Sequence, residues 1–487
     1  MIGRPIVPFW NTSSTRVSLL LGLVFAAIYF HKIQIHDGWD IETDTSSREI
    51  FNASSIPLNF SASDWSQRGL QVKSLAKWGD HFLKHDRSNK TQFLDAIVQR
   101  YEFLEDSLTE DKIPNPWTKP FRNANDTGIV ISLGTKQLRL AAHLIANLRK
   151  VLGSKLPIEI AYAGEDDLKK EEMTWLTAMG DNVKFLDLAD IFPNARDDLI
   201  KGGWATKPFA LLAASHPRTI LVDADTIFLQ KPDMLFNETP GLVDTGALFF
   251  HDRVIQGDTK RQAFMMKQFN AVKEKPSRYL DFDSLYWQGK TRQEADSGLV
   301  AMDKSRPSVF MGLVFACWLN TKAVRQAVTY KNFHGDKETF WIAMELSKAP
   351  YTFPPWYAGQ IGGTSYWSVP EPGKAKEEER KEPQICSTHM LHMDLVRKDP
   401  FWFNGGIYEY KETPSRGYSE LTHWWMQQGS DRTSAPRWRW VKGRACVSEP
   451  GMKPLDDRYK HVISRIIQEA TYIDESFAIK FEKKHRE

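Results

Sequence analysis

Cysteine is scarce in this chain: Cys317, Cys386 and Cys446 are the only three in 487 residues, and their spacing matches no zinc motif. An odd count admits at most one intrachain pair in an oxidising compartment, with three pairings open and one thiol left over. An excess of either charge is also missing. Lys and Arg number 64 against 61 Asp and Glu, a formal net charge of +3, which argues against nucleic acid, a partner that wants a dense basic face. No internal repeat is visible. Aromatics are not scarce, at 12% with 17 Trp. Composition alone reads them as large cores rather than as platforms for sugar rings.

Long apolar runs are nearly absent too, and the one that stands out lies at the N-terminus. Val17 to Phe30 carries no charge and follows Arg4 and Arg16 with no acidic residue before it. That core is shorter than the roughly 20 residues a membrane-spanning helix needs. Extended to Ile35, with Lys32 snorkelling to the interface, it suits a thin bilayer. Ile28-Tyr29-Phe30-His31-Lys32 offers no small-residue cleavage site, so an uncleaved signal anchor is expected rather than a signal peptide. The preceding arginines place the N-terminus inside and the bulk of the chain in the lumen. Glycosylation acceptors at Asn52, Asn59, Asn89, Asn125 and Asn237, all beyond the anchor, agree with that side, although Pro240 disfavours the last.

This gives a division into a cytosolic tail (1–16), a transmembrane anchor (17–35), a stem and helical region (36–125), a main domain (126–430) and a C-terminal helical extension (431–487). Helical spacing begins near Ser63, with Leu70, Leu75, Trp78, Phe82, Phe93 and Ile97 recurring on one face. From about Leu455 the tail reads as an amphipathic helix. Glu371 to Pro383, which holds the charged run Lys374 to Lys381 between prolines, reads as a solvated insertion loop.

Inside the main domain, Thr219-Ile220-Leu221-Val222-Asp223-Ala224-Asp225 carries the strongest signal. A buried strand runs into two carboxylates one residue apart, after which apolar residues resume. Carboxylates at the end of a buried strand are costly unless a cation or a set of donors receives them. A hard divalent metal carrying a nucleotide diphosphate suits them, since carboxylate and phosphate oxygens share the ion. Around this motif, Gly128–Gly134, Ile158–Tyr162 and Val183–Leu186 read as strands. Gln137–Val151 and Pro208–Ser215 read as helices. Alternation of this kind predicts a doubly wound α/β domain. Its ligands sit beyond the carboxyl ends of the strands, where Asp223 and Asp225 fall.

Four further segments matter, one before this motif and three after it: Trp204–Phe209, Thr245–Arg253, Glu294–Gly298 and Gly335–Trp341. His389–Asp394 then leads to Pro400–Gly405. Together with LVDADTIFLQKP they make the chain resemble the fungal Golgi α-mannosyltransferase family, over about Gly128 to Gly406. The resemblance implies a GT-A-like fold, a Rossmann-type mixed sheet with helices on both faces. It also implies GDP-mannose as donor, Mn²⁺, retention of configuration, and a mannose-containing glycan on glycoprotein as acceptor. Localisation would be a Golgi membrane, with room for a complex with other Golgi transferases. An α-1,3 linkage is expected, and α-1,2 is left open.

Residue by residue, Asp225 should bind the metal directly, and Asp223 should approach the ribose or the same ion. His392 is the expected third ligand, with His389 its rival. Lys207 should meet the diphosphate or a site carboxylate. Asp336, then Asp296, then Glu338 are the carboxylates expected near the transferring carbon, where positive charge develops. Trp341, Trp367 and Trp402 are available to stack on acceptor mannose, although core packing suits each better. Two other readings compete. A haloacid-dehalogenase phosphatase also uses Asp-x-Asp after a strand, but Ile227 stands where Thr or Val is wanted. A membrane-anchored glycan-binding protein that had lost turnover would not need Asp223, Asp225 and His392 intact.

Overall fold

Runs of apolar residues without polar alternation build the centre of the protein, as strands buried on both faces must. They are β1 (Thr127–Ser132), β2 (Ile158–Tyr162), β3 (Val183–Asp187), β4 (Arg218–Asp223), β5 (Thr226–Phe228), β6 (Ala247–His251) and β7 (Ala295–Asp303). The computed structural model describes residues 60–482, except 86–89, 110–111, 120, 122, 124, 256, 258, 371–378, 412–416, 427–437 and 449, with backbone alone at 367–370 and 379–380. The expected tail and anchor (1–35) lie outside these residues. Among the described residues no single helix is long and apolar enough to cross a membrane. Two compact units are distinguished. One is represented by Pro276–Asp283 with a single wide helical turn at Tyr279–Asp283; every element named below belongs to the other.

Six strands form the first sheet, in the order β3-β2-β1-β4-β7-β6. β3, β2, β1 and β4 are parallel neighbours, and β7 runs antiparallel to both β4 and β6. The sheet is therefore mixed, with its parallel half ending at Ser132, Tyr162, Asp187 and Asp223. All nine residues of β7 are buried.

Helices α1 (Trp65–Lys84), α2 (Leu138–Ala146), α3 (Thr206–Ala213), α4 (Pro307–Asn320), α5 (Thr339–Ser347) and α6 (Asp457–Phe477) surround this sheet. α3 packs on β1 and β4 and is backed by α4, while α1 lies against α4 and α5. Ile129 and Ile131 of β1 share a core with Leu138 and Ile145 of α2 and Ile473 of α6. The expected amphipathic tail is thus a real helix. Asp456 caps it by accepting from the Tyr459 N–H at 3.1 Å, and Tyr459, Ile463, Ile466, Ala470 and Ile473 form its buried stripe. Each buried Ile contributes roughly 1.5–3 kcal/mol.

A second sheet takes up β5 and the later strands β8 (Gly359–Pro370), β9 (Glu379–Ser387), β10 (Met390–Met393), β11 (Pro400–Asn404), β12 (His423–Trp425), β13 (Trp438–Val441), β14 (Arg444–Val447) and β15 (Lys453–Pro454). Its main path runs β13-β14-β9-β8-β10-β11-β5. Part of the predicted charged loop is corrected here. Glu379–Pro383 is strand, paired with Tyr366–Pro370, because a ladder is made by backbone groups and tolerates charged side chains at an edge. Cys386 and Cys446 face each other across β9 and β14 and form the one disulfide among the described residues, leaving Cys317 a buried thiol.

Candidate active site

Asp223 ends β4 in the first sheet, and Thr226 opens β5 in the second. Asp223-Ala224-Asp225 is therefore the seam between the two sheets. β5 pairs with β11, which brings Asn404-Gly405-Gly406 over the turn. The N–H groups of Gly405 and Gly406 both donate to the Asp225 carbonyl, at 3.1 and 2.6 Å. Those two residues have φ of +114° and +73°, a backbone region that only glycine enters freely. A Cβ on Gly406 would also stand 3.1 Å from Leu140 Cδ2.

Beyond the carboxyl ends of β1 and β4 opens a cavity of about 870 Å³, with Ser132, Gly134, Trp204, Lys207, Asp223 and Asp225 in its walls. Ser132 and Thr206 join hydroxyls at 2.8 Å, fixing the start of α3 to the end of β1. This places Lys207 against the acidic seam. Its Nζ lies 2.7 Å from Asp223 Oδ1 and 3.6 Å from Asp336 Oδ2, and it donates to Ser297 Oγ at 2.9 Å.

One buried cation thus serves several buried carboxylates. Burial alone would lower the pKa of Lys207, but Asp223, Asp336 and Asp296 raise it above the ordinary lysine value. Burial pushes Asp223 up to about 7; Lys207 opposes this, and the like charges of Asp225 and Asp336 add to it. Asp336 is likewise raised by burial. Negative charge is in surplus at the seam. Asp225 itself meets Lys411, whose Nζ is 2.8 Å from Oδ2.

The remaining predicted residues divide. Asp296 accepts from the Gly298 N–H at 2.9 Å and lies 2.9 Å from His392 Nε2; burial raises its pKa, but the His392 hydrogen bond brings it below the usual carboxylate range. His392 turns Nε2 to Asp296, stacks its ring on Trp402 at 4.0 Å and is not in the cavity wall. Its rival His389 is fully buried against Ser419 Oγ at 2.5 Å. Glu338 stands apart from the cavity. It accepts from Trp341 Nε1 at 2.5 Å and from the Glu294 N–H at 3.1 Å, bracing the start of β7. Asp336 is buried behind Lys207. Trp341 and Trp402 are core residues, and the Trp367 side chain is not described.

Among the described residues no three His, Cys, Asp or Glu side chains are grouped to hold a metal ion. The Asp223–Asp225 pair nevertheless fits a hard divalent ion that arrives with a diphosphate, because such ions need only one or two carboxylates besides phosphates and water. Burial first, and then the like charges of Asp225 and Asp336, raise Asp223, and such an ion would offset both. Sequence reasoning missed Lys411, for which a lone lysine in a loop gives no signal. It also missed the diglycine clasp, which a Gly-Gly pair following a strand could have suggested.

A mixed sheet that presents two carboxylates to a cavity at the carboxyl ends of its parallel strands defines an α/β ligand-binding domain of nucleotide-site build. The model of the Mannosyl_trans3 family, described as "Mannosyltransferase putative", matches residues 126–394, and the chain belongs to that family. Among relatives, "Probable alpha-1,3-mannosyltransferase MNT4" of Saccharomyces cerevisiae is 27% identical over 367 residues, covering 66% of this chain and 58% of the relative. "Alpha-1,3-mannosyltransferase MNN1" of the same yeast is 26% identical, covering 57% of this chain and 40% of its own length. The chain spans about half the length of the curated relatives it matches. A solved structure of core-mannan synthase A from Aspergillus fumigatus is 11% identical, covering 50% of this chain and 76% of that one, with a TM-score of 0.33, too slight a likeness to bear on the fold.

Proposed function

We propose that this chain is a retaining GT-A-type glycosyltransferase that moves mannose from GDP-mannose to a mannose-containing glycan of glycoproteins, forming an α-1,3 linkage. The observation that carries the reading is the acidic seam, Asp223 and Asp225 on the wall of a cavity large enough for a nucleotide sugar, in a chain of this family. The names of the yeast relatives favour α-1,3 over α-1,2.

In the proposed mechanism Asp225, with Asp223 beside it, would hold Mn²⁺. When bound, that ion would supply charge neutralisation of the diphosphate as the glycosidic bond breaks. Lys207 fixes Asp223 and Ser297 in one arrangement. Asp336 and Asp296 set a negative potential against the positive charge that develops at the anomeric carbon. Glu338 is left a bracing role. A membrane-anchored, lumenal Golgi setting is part of the same proposal, supported by the apolar run at Val17–Phe30 and by the Cys386–Cys446 bond, which suits an oxidising compartment.

The test is release of GDP from GDP-mannose by the detergent-solubilised full chain, with Mn²⁺ and α-mannobiose, beside UDP-sugar controls. Acceptor-stimulated release from GDP-mannose, abolished by EDTA and lowered about 100-fold or more by Asp225→Asn, is the expected outcome, since several kcal/mol of charge stabilisation are at stake. Full activity in EDTA, or in Asp225→Asn, refutes the metal assignment.

A further inference from the structure

A second cavity, of about 370 Å³, adjoins the first and shares Asn404 and Lys411 with it. Its walls come from three places: Ser387, Thr388 and Met390 around the start of β10, Asn404 and Gly405 at the end of β11, and Trp440, Gly443 and Ala445 of the β13–β14 hairpin. Arg253 lies in the wall and is only 9% exposed, yet its Nε has no hydrogen-bond partner among the described residues. Its Nη2 donates to Gln360 Oε1 at 3.4 Å, and a guanidinium with five N–H donors has others to offer an acceptor that arrives with a ligand. The same guanidinium sits 5.5 Å from the Trp438 ring and 5.8 Å from the Trp440 ring.

Trp440 is 58% exposed at the rim of this cavity, as Trp204 is exposed on the wall of the first, whereas Trp341 and Trp402 are in the core. Residues two apart on a strand share a face, so Trp438 and Trp440 form one aromatic surface. The hairpin carrying them is fastened to β9 through Cys446 and Cys386. An exposed indole held rigidly beside a buried donor suits a ligand with an apolar C–H face and a rim of hydroxyl oxygens. A hexose has both.

We infer that the second cavity is the acceptor subsite, taking the terminal hexose of a glycan with Trp440 as its stacking platform and Arg253 donating to its hydroxyl oxygens. This rests on the transferase reading above. The shared wall at Asn404 and Lys411 would deliver the acceptor hydroxyl to the acidic seam, because Lys411 is the residue that meets Asp225.

The experiment compares the full chain with Trp440→Ala, Trp440→Phe and Tyr366→Ala, the last an exposed aromatic outside the cavity. Steady-state kinetics would give KM for α-mannobiose and for GDP-mannose, and saturation-transfer NMR would give mannobiose binding without donor. Trp440→Ala should raise the acceptor KM about tenfold while moving the donor KM less than twofold, and Trp440→Phe should recover most of the loss. Tyr366→Ala should leave the acceptor KM unchanged. An acceptor KM in Trp440→Ala within twofold of wild type overturns the inference. If the wild type turns over no GDP-mannose, the transferase reading fails, and binding then decides this one. Mannobiose binding lost in Trp440→Ala upholds a saccharide site, while equal binding, or none by wild type, overturns it.

Discussion

Asp223→Asn should gain stability relative to wild type as the pH rises from 5 to 8, although it removes a residue placed at the site. Asp223 is half-buried on the cavity wall, and desolvation, with the like charges of Asp225 and Asp336 adding to it, raises its pKa from 3.8 to about 7. That shift corresponds to roughly 4 kcal/mol between the two protonation states. The folded protein holds this proton where the unfolded chain has lost it, so wild-type stability falls as pH rises from about 4 to about 7. Between pH 5 and pH 8 the part still to be lost is about 3 kcal/mol. Asparagine carries no such charge and still offers Lys207 an acceptor oxygen. The assay is thermal unfolding of the full chain in EDTA at both pH values. The midpoint difference between Asp223→Asn and wild type should shift in the variant's favour by several degrees from pH 5 to pH 8. A difference that is the same at both pH values refutes the raised Asp223 pKa, and with it the argument that this carboxylate awaits a cation.

Two other perturbations test the frame. Gly406→Ala forces a side chain onto φ of +73° and against Leu140, costing roughly 1–2 kcal/mol; a lower unfolding midpoint and slower transfer are expected, and unchanged values of both would discount the clasp on Asp225. The double variant Cys386→Ser/Cys446→Ser opens a loop of sequence separation 60, worth on the order of 4 kcal/mol by chain entropy. It should lower the midpoint and weaken acceptor use together; wild-type behaviour in both would mean the bond does not hold the Trp440 hairpin.

Sequence patterns make the first sheet legible and the second largely not, for a physical reason. Ile129-Val130-Ile131 and Ile158–Ala161 are buried on two faces, so their composition announces them. β5 is three residues long and Glu379–Pro383 is charged, so neither looks like a strand until its partner is known. The acidic pair and Lys207 come together as their types suggest. His392 and Glu338 stand outside the cavity wall, with Asp296 and Trp341 as their partners. Spacing along a chain cannot report such partnerships. Trp440 was hidden for the opposite reason, since an exposed tryptophan looks locally like a buried one. The alternation Trp438-Arg439-Trp440 before a Gly443 turn is the trace it leaves.

The double donation from Gly405 and Gly406 to Asp225 has a consequence for anyone transplanting this chemistry. The segment Arg218–Phe228 looks like a portable cassette, strand and acidic turn in eleven letters. The backbone of its second aspartate, however, is held by a diglycine nearly two hundred positions downstream, at the end of a strand that pairs with the cassette's own β5. Grafted alone into a foreign α/β scaffold, the cassette would bring the right atoms with the wrong bearing. The smallest unit that travels intact is the cassette plus β11 and its two glycines, a discontinuous module that shuffling of contiguous gene fragments would split.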